Sequence, residues 1–330
     1  MKNKVHILLV VLLVLSLCTA YAENVPRTGT AGAQELRIPV GSRGTAMGGA
    51  VISDVTGVEA MYWNPAGLAG LAGTEVLFSY QPYIADIDVN YVGAATNLGD
   101  FGTLGIAAKV VSVGDIEITT QNDPDGTGQF YNPTLSVLSV TYARELTYRV
   151  SFGLTGTMIY EDIANASASG VAFDVGFVYN PGWHGLKVGM VIKNYGPEMS
   201  FDGTAFDEPI GDGNVGRRNA ATFDLPSSFN LGVSYNFFEN ERNVAMFSGN
   251  FMSNNYSNDL WQGGLEYMFD GRYSLRGGYQ YSDQDEYLYG FSFGAGLVVS
   301  LGSTDVAFEY SWTETETFDA NQYFTAKLNF

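Results

Sequence analysis

A transmembrane antiparallel β-barrel of 14 strands, with an N-terminal segment held in its lumen, is the all-β fold this sequence predicts. Three observations carry the prediction. First, apolar and polar residues alternate with period 2 in fourteen runs between residues 74 and 330, most of them 10 to 13 residues long. Soluble strands average about 5–6 residues, whereas a tilted membrane strand needs about 9–11. Second, the connections sort by parity. Every even-numbered one is short (Gly99-Asp100, 145–147, 181–184, 239–241, Asp270-Gly271, Gly302-Ser303), and the odd-numbered ones include the long loops 113–132 and 197–225. Outer-membrane barrels alternate short periplasmic turns with longer external loops in this way, and a soluble sandwich has no reason to. Third, 40 Gly, 21 Tyr and 21 Phe stand beside only 15% charged residues, a composition that suits a barrel with a small-residue lumen and an aromatic girdle.

Taken in order, residues 1–22 read as a secretory signal peptide. Lys2 and Lys4 precede the apolar run 7–18, and Ala20-Tyr21-Ala22 is an A-x-A cleavage site, so the mature chain is expected from Glu23. Residues 23–73 lack strand-length alternation yet are poor in charge, and Met61-Tyr62-Trp63 demands a packed environment rather than solvent. We therefore expect this segment to plug the lumen. Gly44, Gly48, Gly49 and Ala50 would permit close packing. Asn64-Pro65-Ala66-Gly67 reads as a turn in which Pro65 sets φ and Gly67 supplies a positive φ.

The barrel proper is expected over 74–330, with runs near 74–84, 88–98, 101–112, 133–144, 148–160, 169–180, 185–196, 226–238, 242–252, 259–269, 272–282, 288–301, 304–313 and 321–330. In the last, Phe324, Ala326, Leu328 and Phe330 share one face and Asn321, Tyr323, Thr325, Lys327 and Asn329 the other. Tyr80, Tyr160, Tyr267, Tyr281, Tyr310 and Trp312 fall near run ends on the apolar face, as an interfacial girdle would. Phe330 is the expected signal for barrel-assembly machinery. Arg149, Lys187, Lys193, Arg276, Lys327, Glu266 and Glu309 fall on the inward phase. There they either line a ligand path or bond to the plug, and the second reading is preferred because lipid excludes charge from the other face.

Several function classes are excluded. Cleavage would remove two of the 16 basic residues and no acid, leaving 14 against 35 and a charge of −21, which repels nucleic acid. Cys18 is the only cysteine and lies in the signal segment, and His184 would be the one histidine left, so no His/Cys metal centre is expected. Gly290-Phe291-Ser292-Phe293-Gly294 fits a G-x-S-x-G pattern but lies in a strand run rather than a strand–turn–helix. Asp123-Pro124-Asp125-Gly126 lacks the remaining ligands of a calcium loop. The expectation is a non-enzyme without cofactor or metal.

The stretch GSRGTAMGGAVISDVTGVEAMYWNPAGLA resembles the N-terminal signature of the FadL-like outer-membrane proteins, whose hatch carries an NPA motif, matched here by Asn64, Pro65 and Ala66. GDIEITTQNDPDGTG, SGVAFDVGFVYN, KNYGPEMSFDG and DLPSSFNLGVSY resemble the PorV/PorQ branch more closely. The resemblance covers the mature chain and implies a plugged barrel in the bacterial outer membrane, in contact with its lipid. Its PorV/PorQ side implies handling of secreted protein cargo, or of a secretion translocon or other envelope partner, in a type IX-like role. Its FadL side implies passive transport of fatty acids or other hydrophobic small molecules. Cargo handling is the first expectation and transport the alternative. The loops carry apolar residues, Phe130 and Tyr131 in the first and Phe201 and Phe206 in the second, and these are the candidate partner-binding positions.

Overall fold

The computed structural model describes residue 29 and residues 31–211, 214–283, 288–316 and 318–330. The expected signal peptide and the expected mature start at Glu23 lie outside the described residues. Fourteen long strands follow: β1 (Thr74–Pro82), β2 (Asp88–Asn97), β3 (Thr103–Ser112), β4 (Thr134–Thr147), β5 (Val150–Ile163), β6 (Ala166–Tyr179), β7 (Lys187–Tyr195), β8 (Ser228–Glu239), β9 (Asn243–Asn254), β10 (Leu260–Phe269), β11 (Tyr273–Ser282), β12 (Tyr289–Leu301), β13 (Thr304–Thr315) and β14 (Asn321–Asn329). Each pairs antiparallel with its neighbours in sequence. β14 also pairs with β1, from Glu75↔Asn329 to Tyr80↔Phe324, so the sheet closes on itself without a free edge. Closure satisfies every ladder group within the wall, which lipid requires.

Alternation becomes inside and outside. Ile106, Met158 and Leu275 are more than 60% exposed on the outer face, whereas Glu75, Leu77, Ser79 and Gln81 of β1 are buried inward. An apolar exterior this continuous is costly in water and favourable in hydrocarbon. All fourteen expected runs are strands, with shifted ends. One such shift is at the second short turn. β4 runs through 145–147, and the turn is Tyr148-Arg149, with Thr147 Oγ1 accepting bonds from the Arg149 and Val150 amides. Arg149 is therefore exposed in a turn, not inward. The alternation fades at Arg144-Glu145 because the strand has outrun the apolar belt, yet its backbone pairing continues.

Residues 31–73 lie inside the ring. They form a 3-10 turn (Gln34–Arg37), a short helix (Ser42–Ala46), a second (Ala60–Trp63) and a 3-10 helix (Pro65–Gly70). Val40, Met47, Val51, Ile52, Val55, Val58, Met61 and Leu68 join inward Leu77, Tyr91, Ala107 and Val191 of the wall in one buried cluster. Burying such aliphatic side chains contributes about 1.5–3 kcal/mol each. The small inward residues of the wall are what admit this backbone. A Cβ on Gly278 would strike the Met47–Gly48 peptide, and one on Gly189 would strike the Ile52 carbonyl.

One seam is irregular. β6 and β7 pair Val175↔Ile192 and then Phe173↔Tyr195, so β7 carries an extra residue, with Asn194 at φ 56°. This is a β-bulge, which re-aims side chains. The Asp174 carboxylate accepts the Asn194 amide at 2.6 Å inside the bulge. Pairing with β6 resumes only at Phe201↔Ala168, on the chain beyond β7.

Candidate functional site, a vestibule above the lumen segment

At the long-loop end the lumen opens into a vestibule of about 700 Å³. Its walls come from the ends of many strands: Val111 (β3), Leu135 (β4), Met252 (β9), Leu260 (β10) and Tyr323 (β14), with Asn230, Gln262 and Gln280 as polar points. Its floor is the N-terminal segment, chiefly Glu35 to Pro39 and the Tyr62-Trp63 pair. Ligand sites of about 300–1,000 Å³ with mostly apolar walls and a few polar groups are typical for small molecules.

The floor is built around two aromatic rings. Tyr62 and Trp63 meet edge to face at 5.1 Å between centroids. The Trp63 indole donates to the Val40 carbonyl at 3.0 Å, and the Tyr62 hydroxyl donates to the Arg37 carbonyl at 3.2 Å, so the helix 60–63 holds up the chain 36–40. Lys193 Nζ of β7 lies 3.7 Å from the Tyr62 ring centre and Lys109 Nζ of β3 4.9 Å from it. Such ammonium–ring contacts strengthen when desolvated. Burial pushes the Tyr62 phenol well above its ordinary range. At the rim, Arg37 stacks on Tyr256 at 4.3 Å.

Behind the floor sits a second, much smaller cavity of about 30 Å³, room for little more than a water. Met61, Tyr91, Ala107, Lys109, Val137 and Asp174 line it. Leu36, Tyr62, Lys193 and Asn194 line both spaces and form the partition between them. Beside it, Glu35 is 1% exposed and its carboxyl faces that of Glu161 on β5. Burial first, and the neighbouring Glu161 second, push Glu35 up to about 8.

Toward the short-turn end, a chain of ion pairs ties segment to wall. Lys187 pairs with Asp54 (2.7 Å), Asp54 with Arg43 (2.5 Å), Arg43 with Glu266 (2.8 Å), Glu266 with Arg276 (2.6 Å), Arg276 with Glu309 (2.9 Å), Glu309 with Lys327 (2.7 Å) and Lys327 with Glu59 (2.8 Å). Signs alternate along the chain, so it is neutral. The two contacts to Glu309 are ion pairs by distance without hydrogen-bond alignment. Burial opposes the Arg43 charge, but Glu266 and Asp54 outweigh it and hold the guanidinium well above its ordinary range. Of the seven expected inward charges, Lys187, Glu266, Arg276, Glu309 and Lys327 are in this chain, Lys193 is in the partition, and Arg149 is in neither.

The expected plug motif sits below the floor. Asn64, 0% exposed, donates to the carbonyls of Ile52 (2.7 Å) and Phe177 (3.3 Å) and accepts from the Ala66 amide (3.1 Å). Pro65 opens the 3-10 helix. Gly67 corrects the turn reading: its φ is not positive, and glycine is required because a Cβ would strike the Val55 carbonyl. Phe330 exchanges backbone bonds with Thr74 (2.9 and 3.2 Å) and completes the closing seam. Phe130 is exposed, and Tyr131 and Phe206 are half-buried. Phe201 packs on Phe223 with the rings tilted and 5.7 Å between centroids, and both turn toward Ala33, Leu36, Met199 and Leu225 rather than outward. Ser292 of the G-x-S-x-G match is buried in β12 and donates to the Ala46 carbonyl. Sequence reasoning passed over Glu35, Lys109, Glu161 and Asp174. The last three share the inward phase of their strands, which was the available signal.

No protein-family model matches the chain, and neither does any curated protein. Solved structures do resemble it. The CymD monoaromatic hydrocarbon channel aligns at a TM-score of 0.57 with 13% identity, covering 88% of this chain and 96% of its own. The Ralstonia pickettii toluene transporter TbuX gives 0.56 and 13%, over 88% and 98%. A Pseudomonas aeruginosa FadL homologue gives 0.53 and 12%, over 89% and 98%. At these identities the likeness is one of fold, and it extends over nearly the whole of each.

Proposed function

We propose that this barrel is a passive channel for small hydrophobic molecules across the bacterial outer membrane, with residues 31–73 as its plug. The observation that carries the reading is the ligand-sized, largely apolar vestibule, open at the long-loop end and floored by aromatic side chains. A solute enters from the loops, leaves water at the apolar walls and meets the Tyr62-Trp63 floor. Passage beyond the floor requires the packed segment beneath it to move as well, with no covalent step and no cofactor. The fold neighbours named for hydrocarbon and toluene transport support the class of solute. The individual solute is left to experiment.

Cargo handling, the first expectation from sequence, finds no support in the comparisons. Of the four loop residues expected at a docking face, Phe201 packs inward on the floor segment beside Met199 and Phe223, Tyr131 and Phe206 are half-buried, and Phe130 is exposed. Outer-membrane residence, the signal peptide and the assembly role of Phe330 belong to the same proposal. The test is uptake of a hydrophobic dye or of toluene by cells carrying the barrel in a heterologous outer membrane. Uptake above vector background supports the channel, and Tyr62→Ala should change its rate. Background uptake from a correctly assembled barrel would overturn the reading.

A further inference from the structure

The floor is not uniformly fastened. Residues 42–70 are held by the ion-pair chain and by backbone-to-wall contacts. Residues 34–38 have a looser hold. Lys109 Nζ donates to the Ile38 carbonyl (3.0 Å), Tyr62 donates to the Leu36 and Arg37 carbonyls, and Glu35 meets Glu161. Left-handed residues bracket the stretch, Ala33 at φ 49° and Gly41 at φ 83°. The first is a conformation that alanine adopts only under constraint. Leu36, in the middle, is 5% exposed and belongs to the partition.

Among the described residues no side chain other than Glu161 meets the buried Glu35 carboxyl; its own backbone amide turns toward it, and the Ala33 amide turns toward Glu161. Two buried carboxyls facing each other repel when both are ionised and attract when one holds a proton. Lys109 on β3 is a nearby cation that opposes the shift of Glu35, but burial and Glu161 outweigh it. Lys109 also serves the Ile38 carbonyl and the Tyr62 ring, Arg37 turns to Gln34 and Tyr256, and Asp174 and Lys193 line the small cavity.

We propose that Gln34–Arg37 is a proton-latched lid between the vestibule and the inner cavity, held shut by one proton shared between Glu35 and Glu161. The proposal takes its purpose from the channel reading, but its physics does not depend on it. With the lid closed, Glu35 keeps its proton up to about 8, and a released carboxyl loses it near 4.5. Closing therefore takes up a proton across that window, so rising pH opens the lid. Above about 8 both states are ionised and the dependence ends.

The test measures the reaction of a Leu36→Cys thiol with a membrane-impermeant maleimide on the full chain in detergent. Rates are normalised at each pH to Phe130→Cys, an exposed reference. The normalised rate should be slow near pH 6, rise by up to about tenfold per pH unit, and level off above about 8. Glu35→Gln and Glu161→Gln each supply a permanent donor, so labelling in either background should stay slow and flat. Glu35→Asp keeps an ionisable group but withdraws it by one methylene, and should move the rise to lower pH. A flat profile in the unaltered pair overturns the latch, as does an undiminished rise in both Gln variants. The two proposals fail separately. A pH-dependent lid in a barrel that carries no solute removes the channel and leaves the latch, whereas uptake with a flat labelling profile removes the latch and leaves the channel.

Discussion

Asn64 makes three hydrogen bonds from a side chain fully out of solvent, and two of them satisfy carbonyls that have been moved away from water. Removing a buried partner costs about 1–3 kcal/mol for the groups left unmade. Asn64→Ala is therefore expected to loosen the segment locally, with faster amide hydrogen exchange over 52–68 and little change in the strands. Unchanged exchange there would show that the asparagine does not anchor the segment. Gly176→Ala should mimic it, because a Cβ on Gly176 collides with Asn64 Oδ1. The motif was legible as a turn from Pro65, a local property. The need for glycine at position 67 was not, since it comes from the Val55 carbonyl arriving from elsewhere in the chain. A close approach and a positive φ select the same residue, and only the folded structure separates them.

Strands and the ion-pair chain belong to the next scale. Arg276 is buried between Glu266 and Glu309. Breaking a buried pair by removing one partner costs about 3–5 kcal/mol, because a charge is left uncompensated. Arg276→Met should lower the temperature at which the barrel loses its fast migration on unheated gels. Arg217→Ala, whose partners are Asp202 and Asp207 on an exposed loop, should leave that temperature unchanged. An equal response from both would mean that the chain does not stabilise the wall. At the closing seam, deleting Phe330 removes its bonds to Thr74 and an exposed aromatic, and should leave less assembled barrel and more precursor on an outer-membrane blot. The fourteen strands were legible because lipid and lumen impose opposite demands on successive residues, and no soluble context makes that signal so long. The bulge at Asn194 was not legible. The inward Asp174 carboxylate of the neighbouring strand accepts its backbone amide, and Asn194 falls inside the expected run 185–196, where nothing local marks an extra residue. The floor of the vestibule was half legible. Tyr62 and Trp63 asked for burial, but nothing in their neighbourhood told which strands would surround them.

At the scale of the molecule, wall and plug are separable in charge, and this gives the broadest prediction. If residues 31–72 were deleted, Arg43, Asp54 and Glu59 would leave the ion chain together. The wall would keep Glu266, Arg276, Glu309 and Lys327 in contact with one another, two of each sign, and Lys187 would face a lumen now filled with water. No buried charge is then stranded, because the water that replaces the plug solvates what the plug had paired. Strand pairing, closure from β14 to β1 and the apolar exterior all lie outside the deleted segment. The deletion should therefore still yield a barrel that migrates fast on unheated gels. In planar bilayers it should conduct small ions steadily at all voltages where the full chain is silent, and it should sensitise cells to polar antibiotics that the full chain excludes. A deleted chain that fails to assemble would show that the plug is part of the folding core rather than an insert. An assembled barrel as silent as the full chain would mean that the lumen is closed by something other than residues 31–72, and the gating role given to that segment would have to be abandoned.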